Sequence, residues 1–420
     1  MASKRLHRAL GAAAPLFELQ IAGRPWRNDH TIISLSISRG DAGSPIGWSP
    51  STLTTRLPGA EPITRDTSVR LKLTAYGARR LHEITSYPAA SLEHRFFGRL
   101  AMKSVEDRSD TRQSTQLVCS DWSALIEPMN RSVVVTPESS ALPDVYRALL
   151  KASGIPVGLA RLAAGHAWDA VAGLESGPIT LTASDIRSRY CEDLGIFVRT
   201  LRNGDLEAQN LSFRAFLASQ WKQRWPHPLT RRAALSAASW EQQKTTAIEV
   251  RYIMRDPTSA YGATVEKAWT TSDSRYVARP EPVDLTHIWP RTGQLDKAMK
   301  ARAVREGGAR YRVPTVRVDL LALLSSDKPS ERHLAGQLLA MEHGDPITLS
   351  HDWPEPVGSV YFVQQIQEEI RSDTWQMTLG LTPHELVTGD PSPDIAGTTW
   401  HTAYPKATRW NAVTEKWSQK

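Results

Sequence analysis

The 420-residue sequence predicts a mainly β protein of the α+β class, in which two β-barrel-like domains flank a mixed α/β domain. Apolar and polar residues alternate near both ends of the chain, whereas apolar residues recur at helical spacing in the middle. A chain of this length suggests two to four domains of about 150 residues each. We therefore expect an N-terminal extension, a first barrel domain, the mixed domain, a second barrel domain with helices and an extended C-terminal arm, at residues 1–16, 17–130, 131–246, 247–389 and 390–420.

The first barrel is predicted from residues 33–37 and 69–75, where every second side chain is apolar and its neighbours are Ser, Arg, Lys or Thr. This alternation is typical of half-buried antiparallel strands. Further strands are expected over 94–105 and 115–120. Five or more short strands with Gly- and Pro-rich turns between them favour a barrel or a sandwich.

The mixed domain is predicted from a change in the spacing of apolar residues along the chain. Apolar residues spaced three or four apart predict helices over 142–152, 183–197 and 212–225. Gly154 and Pro156 supply a stop after the first of these helices.

The second barrel begins where the alternation returns, at Ile248, Val250 and Tyr252. Trp375 and every second residue as far as Leu381 share one apolar face. Later strands are expected over 316–320, 359–366 and 374–381, and helices over 294–306 and 330–341. We expect the two barrel-like regions to resemble each other. A single sheet spanning both regions would contradict this expectation.

The C-terminal arm, residues 390–420, contains three tryptophans in a Pro-rich stretch with neither helical nor strand periodicity. Burying one large apolar side chain contributes about 2 kcal/mol or more, so an arm that cannot bury its indoles against itself is expected to dock elsewhere. We favour a neighbouring subunit or another component as the docking surface, with packing inside the same subunit as the alternative. The candidate assembly contacts are Trp400, Trp410 and Trp417.

Motifs that would indicate catalysis are missing from the sequence. It contains no Gly-rich phosphate loop, no dinucleotide-binding fingerprint and no Gly-x-Ser-x-Gly elbow. We therefore predict no enzyme activity, no catalytic residue, no cofactor and no metal ligand. The adjacent Glu368 and Glu369 are expected to be solvated. One His/Asp cluster is present, and the strand-like residues inside it favour a structural hairpin over a metal site: His343, Asp345, His351 and Asp352.

The net charge of +7 is spread thinly along the chain, so no specific nucleic-acid recognition is expected. No apolar run approaches the 18 or so residues that cross a bilayer, and no secretory signal is visible. We expect a soluble protein made in the cytoplasm, with no membrane insertion of its own. Cys119 and Cys191 are expected to be core residues. The densest basic group is interrupted by Trp and Pro: Lys222, Arg224, Arg231 and Arg232.

Several motifs, taken in order, resemble those of a known family. The segment Arg95-Phe96-Phe97-Gly98-Arg99-Leu100 and the later 116–122 are similar to paired strands of siphophage tail-tip proteins. Residues 194–206 resemble the helix and hairpin of tail hubs, and 338–383 resemble the closing strands of hubs and minor tail proteins. Over about residues 17–390, the sequence thus resembles the tail-hub and tail-tip baseplate proteins of long-tailed bacteriophages.

This resemblance implies a structural virion protein at the distal end of a phage tail, where a homotrimeric hub closes the six-fold tube and docks tip or fibre proteins. The implied partners are other copies of the chain, the tail tube or distal tail protein, the tape measure protein and the tip or fibre proteins. Three alternatives remain: a hexameric distal tail protein, a carbohydrate- or receptor-binding module and a hydrolase. The oligomer mass discriminates the hub from the distal tail protein, since three copies favour the hub and six favour the distal protein.

Overall fold

The computed structural model describes residues 4–41, 50–59, 63–107, 113–125, 132–135, 147–149, 151–152, 179–182, 185, 195–220, 223, 225–236, 241–242, 248–255, 264–270, 279–284, 298, 301–302, 311–350, 352–353 and 359–389. Strands dominate these residues. In chain order they are β1 (Phe17–Ile21), β2 (Arg24–Asn28), β3 (Ser34–Gly40), β4 (Thr52–Pro58), β5 (Ser68–Leu73), β6 (His94–Asp107), β7 (Gln113–Ser120), β8 (Ser132–Val135), β9 (Ile179–Thr182), β10 (Phe197–Thr200), β11 (Leu206–Gln209), β12 (Glu241–Gln242), β13 (Ile248–Arg255), β14 (Thr264–Thr270), β15 (Arg279–Asp284), β16 (Tyr311–Arg312), β17 (Thr315–Asp319), β18 (Pro346–Leu349), β19 (Ser359–Arg371) and β20 (Trp375–Pro383).

The helices that the structure describes from end to end are short. They are α1 (Lys4–Ala9), α2 (Ala75–Thr85), α3 (Ala89–Glu93), α4 (Leu211–Ser219), α5 (Leu320–Leu324), α6 (Pro329–Ala340) and α7 (His384–Thr388). Together with the strands they confirm the mainly β, α+β class. Among the helices of the described segments, none has the length and apolar character needed to cross a membrane.

Eleven strands form one large sheet with the order β17-β20-β19-β3-β4-β7-β6-β5-β1-β2, and β18 pairs with β19 beside this path. Every pairing in it is antiparallel. The sheet curls, because Phe17 of β1 meets Trp375 of β20 edge to face, with 5.2 Å between ring centroids, although the two strands lie far apart in the hydrogen-bonded order. The two ends of the sheet therefore cover one continuous hydrophobic core.

The prediction of two separate, similar barrels is corrected by this topology. Strand β19, from the second predicted barrel, pairs along seven residues with β3 of the first, so the single spanning sheet that would contradict the prediction is present. Residues 248–255, 264–270 and 279–284 of the second region instead form a separate three-stranded sheet in which β13 pairs with β14 and, in parallel, with β15. Alternation marks a half-buried strand but does not say which neighbour pairs with it, which is why the pattern suggested two closed units.

The strand and helix predictions agree with the structure in most places. Strands β6, β7, β13, β19 and β20 and helices α4 and α6 lie where the sequence pattern places them. Residues 147–149, 151–152, 298 and 301–302 are helical, and most of the predicted helix 183–197 lies outside the described residues, with Phe197 already in β10.

The alternation of β5 does not predict helix α2, because Ala75 continues that alternation. The chain turns there since the Thr74 hydroxyl accepts a hydrogen bond from the Gly77 N–H at 2.9 Å, which caps the helix. Ala78, Leu81 and Thr85 then face the core at helical spacing.

Candidate functional site

The largest group of interacting charges in the described residues is buried where the large sheet meets the β10–β11 hairpin and the loop after α6. Four arginines face four carboxylates there, and we call this group the buried arginine cluster. It consists of Arg39, Arg95, Arg199, Arg202, Glu207, Glu342, Asp345 and Glu368.

Glu368 lies at the centre of the sheet side of the cluster and is completely buried. Arg39 Nη2 donates to its Oε1 at 2.7 Å, and Arg95 Nη2 donates to its Oε2. Burial alone would raise the pKa of this carboxyl, but the charges of Arg95 and Arg39 outweigh it and lower the pKa to about 2. The group is therefore a permanent anion at neutral pH.

The strand register explains how these side chains meet. On β19 the inward positions are Ile366, Glu368 and Ile370, and Glu368 lies opposite Ile37 of β3. Arg39 is the next inward residue of β3 and lies opposite Ile366. Gly40 then ends the strand with φ +73°, and a Cβ there would lie 2.0 Å from the Gln364 carbonyl oxygen, so only glycine fits.

The second half of the cluster holds the loop that follows α6. Arg199 Nε donates to Glu207 Oε2 at 2.6 Å, and its Nη1 donates to the His343 carbonyl at 2.5 Å and to Asp345 Oδ1 at 3.0 Å. Although burial lowers it, the pKa of Arg199 is raised by these carboxylates. Through Arg199, the β10–β11 hairpin thus holds residues 343–345 in place.

Leu339 joins the two halves through its backbone. Its carbonyl accepts from Arg95 Nη1 at 2.7 Å and also from Arg202 Nη1, while Arg202 Nη2 donates to the Met341 carbonyl. Burial and the neighbouring Arg39 and Arg95 hold the pKa of Arg202 well below its ordinary value. One carbonyl therefore links the sheet to the hairpin.

A fifth buried arginine, Arg214 of α4, lies between two rings. Its guanidinium carbon is 4.5 Å from the ring centroid of Phe197 and 4.3 Å from that of Phe362. Since Phe197 begins β10 and Phe362 belongs to β19, these cation–π contacts attach α4 to both.

The chemistry that this cluster can perform is limited. A general acid or base works best when its pKa lies near the working pH, and a carboxyl with a pKa of about 2 between two guanidinium groups does not meet that condition. What the arrangement does is join residues that are up to 329 positions apart in the chain into one rigid body.

Burial, Arg199 and Arg39 hold the pKa of His343 well below its ordinary value of 6.5, so the folded protein keeps this imidazole neutral. The unfolded chain takes up a proton below about pH 6.5, so this contribution to stability is complete above that pH and is lost as the pH falls toward the lowered folded value. We expect His343→Gln to make the unfolding free energy less dependent on pH between pH 7 and 5. Urea unfolding at several pH values measures this. His82→Gln, at an exposed histidine, is the control, and equal pH slopes in wild type and His343→Gln would contradict the assignment.

The sequence-predicted assembly residues Trp400, Trp410 and Trp417 lie outside the described residues, so their docking remains a prediction. Four other tryptophans are core residues, namely Trp122, Trp225, Trp353 and Trp375. Cys119 is buried as expected, and burial raises the pKa of its thiol to about 12. Cys191 lies outside the described residues.

The predicted His/Asp cluster does not come together as one group in the described residues. The intervening residues form β18 as expected. Asp345 belongs to the buried arginine cluster, the His343 carbonyl accepts from Arg199 Nη1, and Asp352 accepts from the Arg231 N–H at 3.0 Å. His351 lies outside the described residues.

The expectation of solvated carboxylates is wrong for Glu368 and right for Glu369, whose side chain is 50% exposed. Adjacent residues of a strand face opposite sides, and Glu368 shares its side with two buried isoleucines. The sequence reasoning treated Glu368 and Glu369 alike and therefore did not predict the buried arginine cluster. The available signal was a charged residue at an inward position of an apolar strand.

A different trio could hold a metal ion. His7 of α1 and Asp29 and His30, just after β2, each offer a ligand atom within 4.8 Å of the others'. This was the sole such trio in the described residues, and their separation in the sequence gave no motif.

The curled, mainly β architecture is the fold of solved phage tail proteins, and the resemblance found in the sequence is confirmed at the level of fold. The 43 kDa tail protein of prophage MuSo2 from Shewanella oneidensis superposes with a TM-score of 0.54 at 10% identity, over 89% of this chain and 99% of that one. The tail protein from Neisseria meningitidis MC58 superposes with a TM-score of 0.54 at 13% identity, over 89% and 98%. No protein-family model and no curated protein matches the sequence.

Proposed function

We propose that this protein is a structural component of a phage-type tail and that it acts as the hub at the distal end of the tail tube. The observation that carries the proposal is the end-to-end correspondence with two tail proteins, each matched over 98% or more of its own length. A match of this extent concerns a whole architecture and not one shared domain.

The buried arginine cluster supports a mechanical role. A hub must transmit force between a tube and a tip without coming apart. Here ion pairs join β3, β6 and β19 at Glu368, another ion pair joins the β10–β11 hairpin to the loop after α6, and hydrogen bonds to the Leu339 carbonyl link the two groups. Each of the four carboxylates in this buried network has an arginine partner, and such a network favours one arrangement of the elements.

The proposal includes a closed ring of identical subunits, because such a ring satisfies every interface without open-ended growth. We propose three copies, with the tail tube or distal tail protein, the tape measure protein and the tip or fibre proteins as further partners. No catalytic step belongs to this role.

The oligomer mass of the purified full chain tests the hub assignment. Native mass spectrometry is expected to find three copies, and electron microscopy of tails carrying a tagged chain is expected to place the tag at the distal end. A mass of six copies would indicate a distal tail protein instead of a hub. A tag absent from tails would overturn the tail assignment, and binding of cell-wall glycan by an isolated monomer would favour the binding module.

The exposed aromatic ring of Phe216 on α4 offers a point for probing subunit contacts. It is 56% exposed and stacks on Phe213 with 6.3 Å between ring centroids. Since aromatic residues dominate interface energies, we expect Phe216→Ser to weaken association by about 2 kcal/mol, or roughly 30-fold. Sedimentation at a series of concentrations measures this. Val134→Ser on β8, also exposed, is the control, and unchanged association of Phe216→Ser would place the contact elsewhere.

A further inference from the structure

His7, Asp29 and His30 converge at the edge of the sheet. His7 Nε2 lies 2.8 Å from Asp29 Oδ2, and the two imidazole rings are 4.7 Å apart between centroids. One nitrogen or oxygen of each residue lies within 4.8 Å of the others'. Two imidazoles and a carboxylate are the ligand types that zinc sites with an open position use.

The backbone around the trio is fixed by contacts that do not involve a metal. Leu6 and Leu10 bury α1 against the core, and the Leu6 N–H donates to the Ser372 carbonyl at 3.0 Å. On the other side, the Leu16 N–H donates to Asp29 Oδ2 at 3.1 Å, and the His30 N–H donates to Asn28 Oδ1 at 3.1 Å. The ligand set is therefore held in place by the fold.

Asp29 also has an unused ligand atom. The residue is only 8% exposed, and its Oδ1 is buried with no hydrogen-bond partner among the described residues. A buried carboxylate oxygen without a partner is costly, and a cation bound at the trio would remove that cost.

We propose that His7, Asp29 and His30 form a binding site for a divalent transition metal, with Zn²⁺ as the best fit to the ligands. Ligand bonds of about 2.0–2.2 Å in a tetrahedron place donor atoms roughly 3.4 Å apart. Small side-chain rotations reach this spacing from the distances present. His30 is exposed, so the fourth position faces solvent and takes water or a donor from another molecule.

A bound metal links α1 to the β1–β2 hairpin through its ligand bonds. This inference does not depend on the proposed function.

The test is equilibrium dialysis of the full chain against ZnCl₂ after EDTA treatment, with thermal unfolding and the visible spectrum of added Co²⁺ as independent readouts. Wild type is expected to bind one Zn²⁺, to unfold at a higher temperature with the metal and to give a tetrahedral Co²⁺ spectrum. His30→Ala, at an exposed position, should keep the fold and bind Zn²⁺ at least about ten-fold more weakly.

His333→Ala is the matched control, because His333 and His227 form another histidine pair, with 5.2 Å between ring centroids. It should bind as wild type does. Three results would overturn the proposal: no Zn²⁺ bound by wild type at 1 mM or so of free metal, equal affinity in wild type and His30→Ala, or loss of the bound metal in His333→Ala instead.

Discussion

Replacement of Glu368 by Gln is expected to lower the free energy of unfolding by about 3–5 kcal/mol. The carboxylate is completely buried and is the shared anion of Arg39 and Arg95, which are themselves buried. Gln keeps the shape of the side chain but removes its charge, and two guanidinium groups then remain in the interior without their counter-ion. Removing one partner of a buried ion pair costs far more than a surface pair is worth.

The adjacent residue provides the matched control. Glu369→Gln makes the same chemical change one position along β19, at a half-exposed side chain whose contact with Arg371 is 3.8 Å long. We expect a change within about 0.5 kcal/mol there. Urea or guanidinium unfolding of both variants measures the difference. Similar stabilities for Glu368→Gln and Glu369→Gln would show that the buried arginine cluster does not hold the fold together.

Replacement of Trp375 by Ala is expected to lower the free energy of unfolding by about 3–5 kcal/mol. It removes the largest fully buried side chain of the described core and leaves a cavity in its place. The indole fills the space between the two ends of the sheet, where it meets Phe17 edge to face. Loss of the ring removes both the apolar contact and the packing that keeps β20 against β1.

Trp375→Phe separates ring packing from hydrogen bonding. The Trp375 indole N–H has no hydrogen-bond partner among the described residues, so a phenyl ring loses only volume. We expect this variant to retain most of the stability, with a cost of about 1.5 kcal/mol or less. Thermal unfolding of both variants measures the ranking, and an equal loss in Phe and Ala variants would contradict the packing argument.

The sequence anticipated the individual strands well, because alternation follows directly from strand geometry. Trp375, Met377, Leu379 and Leu381 were placed on one face, and all four are buried in β20. Helix α2 was not anticipated, since its first residue continues the alternation of β5 and only the Thr74 cap marks the change.

The candidate site could be anticipated only in part. Glu368 stands between Ile366 and Ile370 at inward positions, so the pattern alone could have indicated a buried charge. Its partners could not be found in this way, because Arg39 is 329 residues away and Arg95 is 273 residues away. The metal-ligating trio is likewise built by α1 folding back on β2, which no local spacing encodes.

By itself, the sequence determined the mainly β class and which apolar side chains of a strand share a face, since the two-residue period is a property of each strand's own backbone. The tertiary structure alone decided that β19 pairs with β3, that the sheet curls until Phe17 meets Trp375, and that one core replaces two barrels. Every residue type except proline offers the same backbone N–H and C=O groups, so the edge of a strand does not specify which strand pairs with it. That choice is made by the packing of side chains from distant segments into a shared core.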